Sequence, residues 1–369
     1  MATAYATTIA EGFSSTLMAE VYDKSLTDVV VNRDYQGEIN EVGSVLNILN
    51  LDRVSEKTYT GANLTVDDLY EKNSVLTIDQ FKSFYWREKT IDIWKSYAKN
   101  PHSRVVSQKA DERNRNMDLF VFGQYSDVAS GNRVGTDYET GTVSIDADGV
   151  VTGSGTTFTS AMVGRGFKAV GHSQWYRVKT YSAADSIVIE DDRDDITSDY
   201  TGGVISGAAY VIEAVSALAI TTSNLLQKVG ALKLKLDMAE RYSKTAVPDT
   251  DRWLIVPPEF EEGLVRATGV ALHVPEVYSE LVKKGMITML QGFKVFKSNR
   301  LTGNNTDGFR VLAGHPSWMT FAEKLLTATM EEDLIGNFGS AYKDLFVYGG
   351  KVTDSRRHFA TEGYWTFTL

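Results

Sequence analysis

The chain contains no cysteine among its 369 residues. That excludes a disulfide scaffold, a cysteine-ligated zinc and a thiol nucleophile, and it suits a protein folded in a reducing cytoplasm. No apolar run approaches the roughly 18–20 residues a membrane helix needs. The opening stretch Met1–Ala6 lacks the basic n-region and apolar core of a secretory signal. The chain is therefore expected to be soluble, without a visible export signal. Positive charge is in deficit: 38 Lys and Arg stand against 48 Asp and Glu, a net charge of -10. A general nucleic-acid binder carries a basic patch or stripe instead.

Reactive motifs are missing as well. There is no Gly-x-x-x-x-Gly-Lys-Ser/Thr phosphate loop, and the cluster Gly153-Ser154-Gly155 lacks the third glycine and the strand–helix setting of a dinucleotide fingerprint. There is no Gly-x-Ser-x-Gly elbow. The histidines His102, His172, His273, His315 and His358 are scattered, and none pairs with another at i, i+4 to make a zinc helix. These absences point away from an enzyme and from any cofactor or metal site. A carboxylate hydrolase has no feature in its favour, because 48 acidic residues guarantee a pair somewhere.

What is present is an ordinary globular composition, 43% hydrophobic and 23% charged, over a length that fits two or three packed units. Residues 8–24 fit an amphipathic helix with Ile9, Phe13, Leu17 and Val21 on one face. The run Asp28–Asn32 reads as a strand or extended arm, and 43–53 as a buried extended piece. Residues 54–90 read as a long two-stranded excursion with a polar tip at Gly61–Asp68. Its return arm, Ser74–Arg87, carries Phe81, Phe84, Tyr85 and Trp86. Compact domains seldom spend so many residues on a hairpin, whereas assemblies lay such hairpins on a neighbour.

Residues 90–123 read as helix broken near Pro101, with Val106, Ala110, Met117 and Val121 toward a core and Lys109, Asp111, Glu112, Arg113 and Arg115 on a solvated or intersubunit face. A second helix spans 222–242 on the stripe Leu225, Val229, Leu232, Leu236, capped by Thr222 or Ser223. Asp249–Pro258 reads as a short buried strand stopped by Pro257 and Pro258, and 259–284 is mostly helical. Residues 292–298, 309–313, 345–353 and 363–368 are strands, and 317–327 is a helix.

Between the two long helices, 138–214 is rich in Gly, Ser, Thr, Val and Asp, with strand-like runs at 141–145, 167–170, 175–179, 186–190 and 208–212. This reads as a small all-β module inserted between flanks that join without it. It holds eleven acidic and five basic residues, -6 of the total -10. The run Glu190–Asp195 is therefore expected to be a solvated acidic loop, since buried unpaired carboxylates are costly. Its spacing is not that of a calcium loop.

Three constellations have a functional alternative. Phe81–Trp86 makes either a base-stacking platform or strand packing. Lys109, Arg113 and Arg115 touch either DNA or carboxylates of the same or a neighbouring chain. Trp175 and Tyr176 form either a sugar shelf or the core of the module. Packing is the reading preferred for each.

The order of segments carries a resemblance. The arm Val31–Ile39 with Gly43-Ser44-Val45 is followed by the hairpin and long helix. The 222–242 helix, Arg252–Pro258, Met286–Leu301, Val311–His315 and Leu345–Val352 then follow in turn. Outside the module this order resembles the major capsid proteins of tailed bacteriophages, of the Hong Kong 97-type shell fold.

The resemblance implies an α+β fold with an N-terminal arm at 1–50, an extended loop at 51–90 and a spine helix with peripheral region at 91–137. The inserted β domain is at 138–214, and the axial and remaining peripheral domain at 215–369. It implies a chain that assembles with itself in pentamers and hexamers around double-stranded DNA held without sequence specificity. The inner wall of such a shell should not hold phosphate tightly, which suits the negative charge. Implied partners are a portal, a separate scaffolding protein and a decoration protein, with no membrane, and the place is a virion capsid assembled in the host cytoplasm. Assembly contacts are expected at Arg33, Asp34, Tyr35, Lys57, Tyr59, Asp67, Asp68, Lys109, Arg113 and Arg115. No lysine–asparagine crosslink is assigned. An encapsulin-like nanocompartment shell shares the fold, and a glycan-binding virion protein acting through the module is a further alternative.

Overall fold

The computed structural model describes residues 25–34, 45–51, 71–90, 101–192, 200–239, 246–268, 289–331 and 338–368. In chain order these form α1 (Thr27–Val30), β1 (Val45–Leu51), β2 (Glu71–Thr77), β3 (Gln80–Lys89), α2 (Pro101–Gly123) and β4 (Arg133–Val134). Next come β5 (Thr136–Tyr138), β6 (Thr142–Ile145), β7 (Val150–Ser154), β8 (Gly166–Ala169), β9 (Tyr176–Ala183), β10 (Ser186–Asp191), β11 (Ile205–Ala208) and β12 (Tyr210–Ser216). Then follow β13 (Leu218–Ile220), α3 (Leu225–Asp237), β14 (Trp253–Val256), α4 (Pro258–Thr268), β15 (Met289–Leu290), β16 (Phe293–Lys297), β17 (Gly303–Asn304), β18 (Gly308–Gly314), β19 (Thr320–Glu331), β20 (Gly339–Lys351) and β21 (Ala360–Phe367). The chain divides into two compact units, one of residues 1–28, 33–118 and 320–351, the other of 29–32, 119–319 and 352–369.

In the first unit, β19, β20 and β3 form an antiparallel sheet in that order, with Thr320 opposite Lys351 and Gly339 opposite Lys89. A separate hairpin pairs β1 with β2 from Val45–Thr77 to Leu51–Glu71. Ile48, Leu76, Ile78, Ala322 and Val347 pack together. Gly349 is required there, because a Cβ would stand 2.5 Å from the Thr77 carbonyl oxygen.

Two expectations change here. The return arm splits: Glu71–Thr77 pairs with β1, whereas the aromatic stretch lies on β3 beside β20. Residues 317–327 are not a helix; a short 3-10 turn at Pro316–Trp318 leads into the strand β19. Its Ala, Glu, Lys and Leu favour helix, but eleven paired positions along β20 override that weak preference.

In the second unit, β13-β21-β18-β14-β16-β15 form a mixed sheet, parallel at β13–β21 and β14–β16. Trp253, Leu254, Ile255 and Val256 are all buried, as a central strand covered on both faces requires. The α3 stripe Leu225, Val229, Leu232 and Leu236 is buried too. Each such side chain contributes about 1.5–3 kcal/mol relative to exposure. Neither Thr222 nor Ser223 caps this helix: Asn224 is the N-cap residue, and its side chain accepts from the Thr221 N–H.

All strands between Thr136 and Ser216 belong to a second sheet, β11-β6-β7-β10-β9-β8-β12-β5, antiparallel throughout. Its alternate residues converge on one core, including Val143, Ile145, Val151, Phe158, Phe167, Tyr176, Ile187, Tyr210 and Ile212. Phe167 stacks on Tyr210 at 5.6 Å, and Phe158 meets Tyr210 edge-on at 5.9 Å.

The run Asp28–Asn32 is not a strand. Its first residues are wound into α1, and Asp118 accepts from the Leu26 and Thr27 N–H groups and from the Ser25 and Thr27 hydroxyls. Those orphan donors at a helix start need an acceptor, and here it comes from ninety residues downstream. Expectations for 8–24, for the hairpin tip and for 269–284 lie outside the described residues. Among the described residues no helix is long and apolar enough to cross a membrane.

Candidate assembly surfaces

Strand alternation places Tyr342, Asp344 and Phe346 of β20 on one face, opposite Trp86, Phe84 and Lys82 of β3. The α2 side chains Lys109 and Arg113 reach this face and both pair with Asp344, the latter at 3.0 Å. Asp344 is almost fully buried and also accepts from the Phe84 N–H at 3.2 Å. Lys109 lies over the rings of Phe84 and Trp86 at 5.5 and 5.0 Å, and Arg113 over Phe346 at 4.1 Å. Trp86 in turn stacks on Tyr342 at 4.9 Å. The aromatic stretch thus packs against cations of its own chain.

Beside this cluster is a recess of about 280 Å³ lined by Phe81, Phe84, Glu112, Arg113, Asn116 and Tyr348 among others. Val106 and Ala110 are exposed, although they share the stripe of the buried Met117 and Val121. Among the described residues of this unit, the most exposed large apolar side chains are Phe338, at 88%, and Tyr85, at 67%.

The other expected contact residues are spread out. Arg33 pairs with Asp28 at 2.6 Å and Glu323 at 2.7 Å, and its guanidinium lies over Phe321 at 5.4 Å. Asp34 is exposed. Arg115 is exposed, 3.7 Å from Glu112 on the same helix. Tyr35, Lys57, Tyr59, Asp67 and Asp68 lie outside the described residues. The structure therefore joins Lys109 and Arg113 at one carboxylate and keeps Arg33 and Arg115 on other partners.

A charged network in the second unit was not anticipated. Glu362 on β21 has no exposed surface. Three guanidiniums meet its carboxylate: Arg133 at 3.0 Å, Arg165 at 3.3 Å and Arg310 at 2.7 Å. Arg133 also pairs with the buried Glu213 at 3.4 Å and donates to the carbonyls of Gly164, Ser126 and Val128. Burial pushes the Glu213 carboxyl above its ordinary value against the pull of Arg133 and Lys235. Burial likewise pulls Arg165 down, against Glu362. The signal in the sequence was a glutamate inside the apolar run Tyr210–Val215, which only a buried partner makes tolerable.

The first half of the acidic run is corrected as well, while Arg193–Asp195 lie outside the described residues. Glu190, Asp191 and Asp192 are not a solvated loop: Glu190 pairs with Arg177 and Lys179, Asp191 accepts from the Thr201 hydroxyl, and Asp192 pairs with Arg357 at 2.9 Å. Tyr176 is in the module core, and Trp175 is half-buried over Gly131, so the two do not form an exposed shelf. Among the described residues no group of three or more metal-ligating side chains converges.

Solved structures share this architecture over nearly the whole chain. A chain of Mycobacterium phage Che8 aligns with a TM-score of 0.56 at 16% identity, covering 97% of this chain and 96% of that one. The capsid structure of the cyanophage P-SCSP1u aligns at 0.59 and 14%, covering 97% and 93%. The mature capsid of bacteriophage PhiM1 aligns at 0.55 and 13%, covering 97% and 91%. The chain has the phage capsid fold. No protein-family model and no curated protein sequence matches it. Within this capsid fold the α+β character and the long helix α2 agree with the architecture the sequence order suggested.

Proposed function

We propose that this chain is a phage major capsid protein, whose work is self-association into an icosahedral shell around double-stranded DNA. The observation that carries the reading is the shared capsid fold, which spans 97% of this chain and more than nine-tenths of each relative named above. Exposed apolar side chains on the first unit, Phe338 and Tyr85 above all, support it, because large rings in water favour a partner surface. The role is structural rather than enzymatic. One chain must occupy fivefold and sixfold positions, so its contacts must tolerate a change of angle, and many modest contacts per subunit multiply into a stable shell.

In this reading 1–50 is the arm, 51–90 the extended loop and 138–214 an inserted β domain. Arg33, Asp34, Tyr35, Lys57, Tyr59, Asp67, Asp68 and Arg115 remain proposed contacts, whereas Lys109 and Arg113 would act through the Asp344 cluster. A portal and a separate scaffolding protein are the proposed partners, and the virion capsid the proposed place.

Electron microscopy and sedimentation of the purified chain, alone and coexpressed with candidate scaffolding proteins, test the proposal. Closed shells, or rings of five and six, are expected. A chain that stays monomeric under every such condition would overturn it.

A further inference from the structure

We propose that the eight-stranded module, Thr136–Ser216, is keyed rigidly to the β13–β21 sheet through Glu362, so that its outer end is held at one angle instead of swinging on a hinge. The neck leaves no slack. Its two strands touch where Gly135 meets Ala214: a Cβ on Gly135 would stand 2.8 Å from the Ala214 Cα. Ala214 itself takes a left-handed φ of 47° that the Asp137 carboxylate holds by accepting its N–H at 2.8 Å.

Four separate parts of the module then grip residues outside it. On β12, Glu213 accepts from the Gly131 N–H at 2.9 Å and pairs with Arg133. Just before β8, Arg165 crosses to Glu362. At the end of β10, Asp192 accepts from the Ser130 N–H at 2.6 Å and pairs with Arg357, which also donates to the Asp192 carbonyl at 2.8 Å. Before β9, the Trp175 indole fills the space over Gly131, where a Cβ would stand 2.5 Å from its Nε1. Contacts from four separate points oppose rotation about any one of them.

Glu362 is the centre of this grip. Arg165 comes from the module, Arg133 from the neck and Arg310 from β18, and all three meet on one carboxylate without solvent. A tilt of the module would draw Arg165 away and leave buried charge without its partner, which is the condition proteins tolerate least. Arg310 is itself clamped, its guanidinium 3.4 Å from the centre of the Tyr364 ring. One orientation is therefore much preferred over its neighbours. The gripped end of β10 is Asp191, so Ser186 at the other end lies about 17 Å away, at about 3.3 Å per residue. Residues 153–157 lie beside it, through the Gly153 N–H to the Asp185 carbonyl and the Phe158 N–H to the Ala184 carbonyl, both 2.7 Å. The surface displayed is thus 153–157 with 181–185.

The chain has no cysteine, so a single introduced thiol is labelled uniquely. A dye is attached to the full chain at Ser182→Cys on the outer end or, as reference, at Thr302→Cys outside the module, both positions being exposed. Time-resolved fluorescence anisotropy is then compared. The two labels are expected to share the slow correlation time of the whole particle, with no extra nanosecond component at the module. A segmental component at the Ser182→Cys label alone in the otherwise unaltered chain would overturn the proposal. Glu362→Gln is expected to create that component at Ser182→Cys and not at Thr302→Cys. Arg165→Gln, which leaves Glu362 its other two partners, gives the same reading should the first variant fail to fold. Unchanged anisotropy in a folded variant would remove Glu362 from the role.

Discussion

Asp344 shows how much one side chain decides. Lys109 and Arg113 are held over aromatic rings, where a cation without its carboxylate has no comparable partner. Asp344→Asn is expected to cost about 3 kcal/mol, the low end for breaking a buried pair, because it leaves charge uncompensated on two cations that are still partly exposed. A fall in the urea midpoint of the first unit measures it. His358 acts through protonation. Its Nδ1 is buried without a hydrogen-bond partner, and burial pushes its pKa from 6.5 down to about 4, against the pull of Asp192. The folded chain needs the neutral ring, so above pH 6.5 His358 leaves stability unchanged. As pH falls from 6.5 toward 4 the unfolded chain takes up the proton first, and about 3 kcal/mol is lost across that window. Urea titrations at stepped pH are expected to show this slope, and His358→Gln to flatten it.

Turns set the registers of the elements. Gln291 and Gly292 join β15 to β16 as a two-residue hairpin loop with φ of 49° and 89°. A Cβ on Gly292 would meet only the Lys233 Nζ, at 3.7 Å. Gly292→Ala therefore carries a purely backbone cost, expected at about 1–2 kcal/mol. Gly303, at φ 104°, would in addition drive a Cβ to 2.1 Å from the Gly308 carbonyl, so Gly303→Ala is expected to cost clearly more. Chemical unfolding of both variants checks the order. Elements whose signal is local were legible in the sequence: the α3 stripe, the buried strand before Pro257, and most strands of the eight-stranded sheet. Elements decided by distant partners were not. α1 depends on Asp118, β19 on β20, and the burial of Glu190–Asp192 on Arg177, Thr201 and Arg357. The Glu362 network was invisible for the same reason, since its charges come from five strands or turns that meet only after folding.

At the scale of the whole molecule, the proposed self-association would have to overcome a net charge of -10 on every copy. Salt screens such repulsion within a Debye length of about 8–10 Å, so the attraction has to come from short-range contacts. Among the described residues Phe338 is the most exposed apolar ring, at 88%, yet its backbone is held, since its carbonyl accepts from the Thr90 N–H at 3.1 Å. A solvated ring on a held backbone loses less entropy on docking than one on a free loop, and covering a phenylalanine contributes about 1.5–3 kcal/mol. Phe338→Ser should therefore leave the unfolding midpoint of the single chain within about 0.5 kcal/mol. It should raise the concentration at which shells or rings appear by at least about tenfold, which corresponds to about 1.4 kcal/mol. Light scattering against concentration, with sedimentation of the subassembly state, reads both effects on one sample. An unchanged assembly threshold together with unchanged stability would mean that the ring stays in solvent within the assembly, and the contact would then have to be sought at Tyr85 on β3 instead.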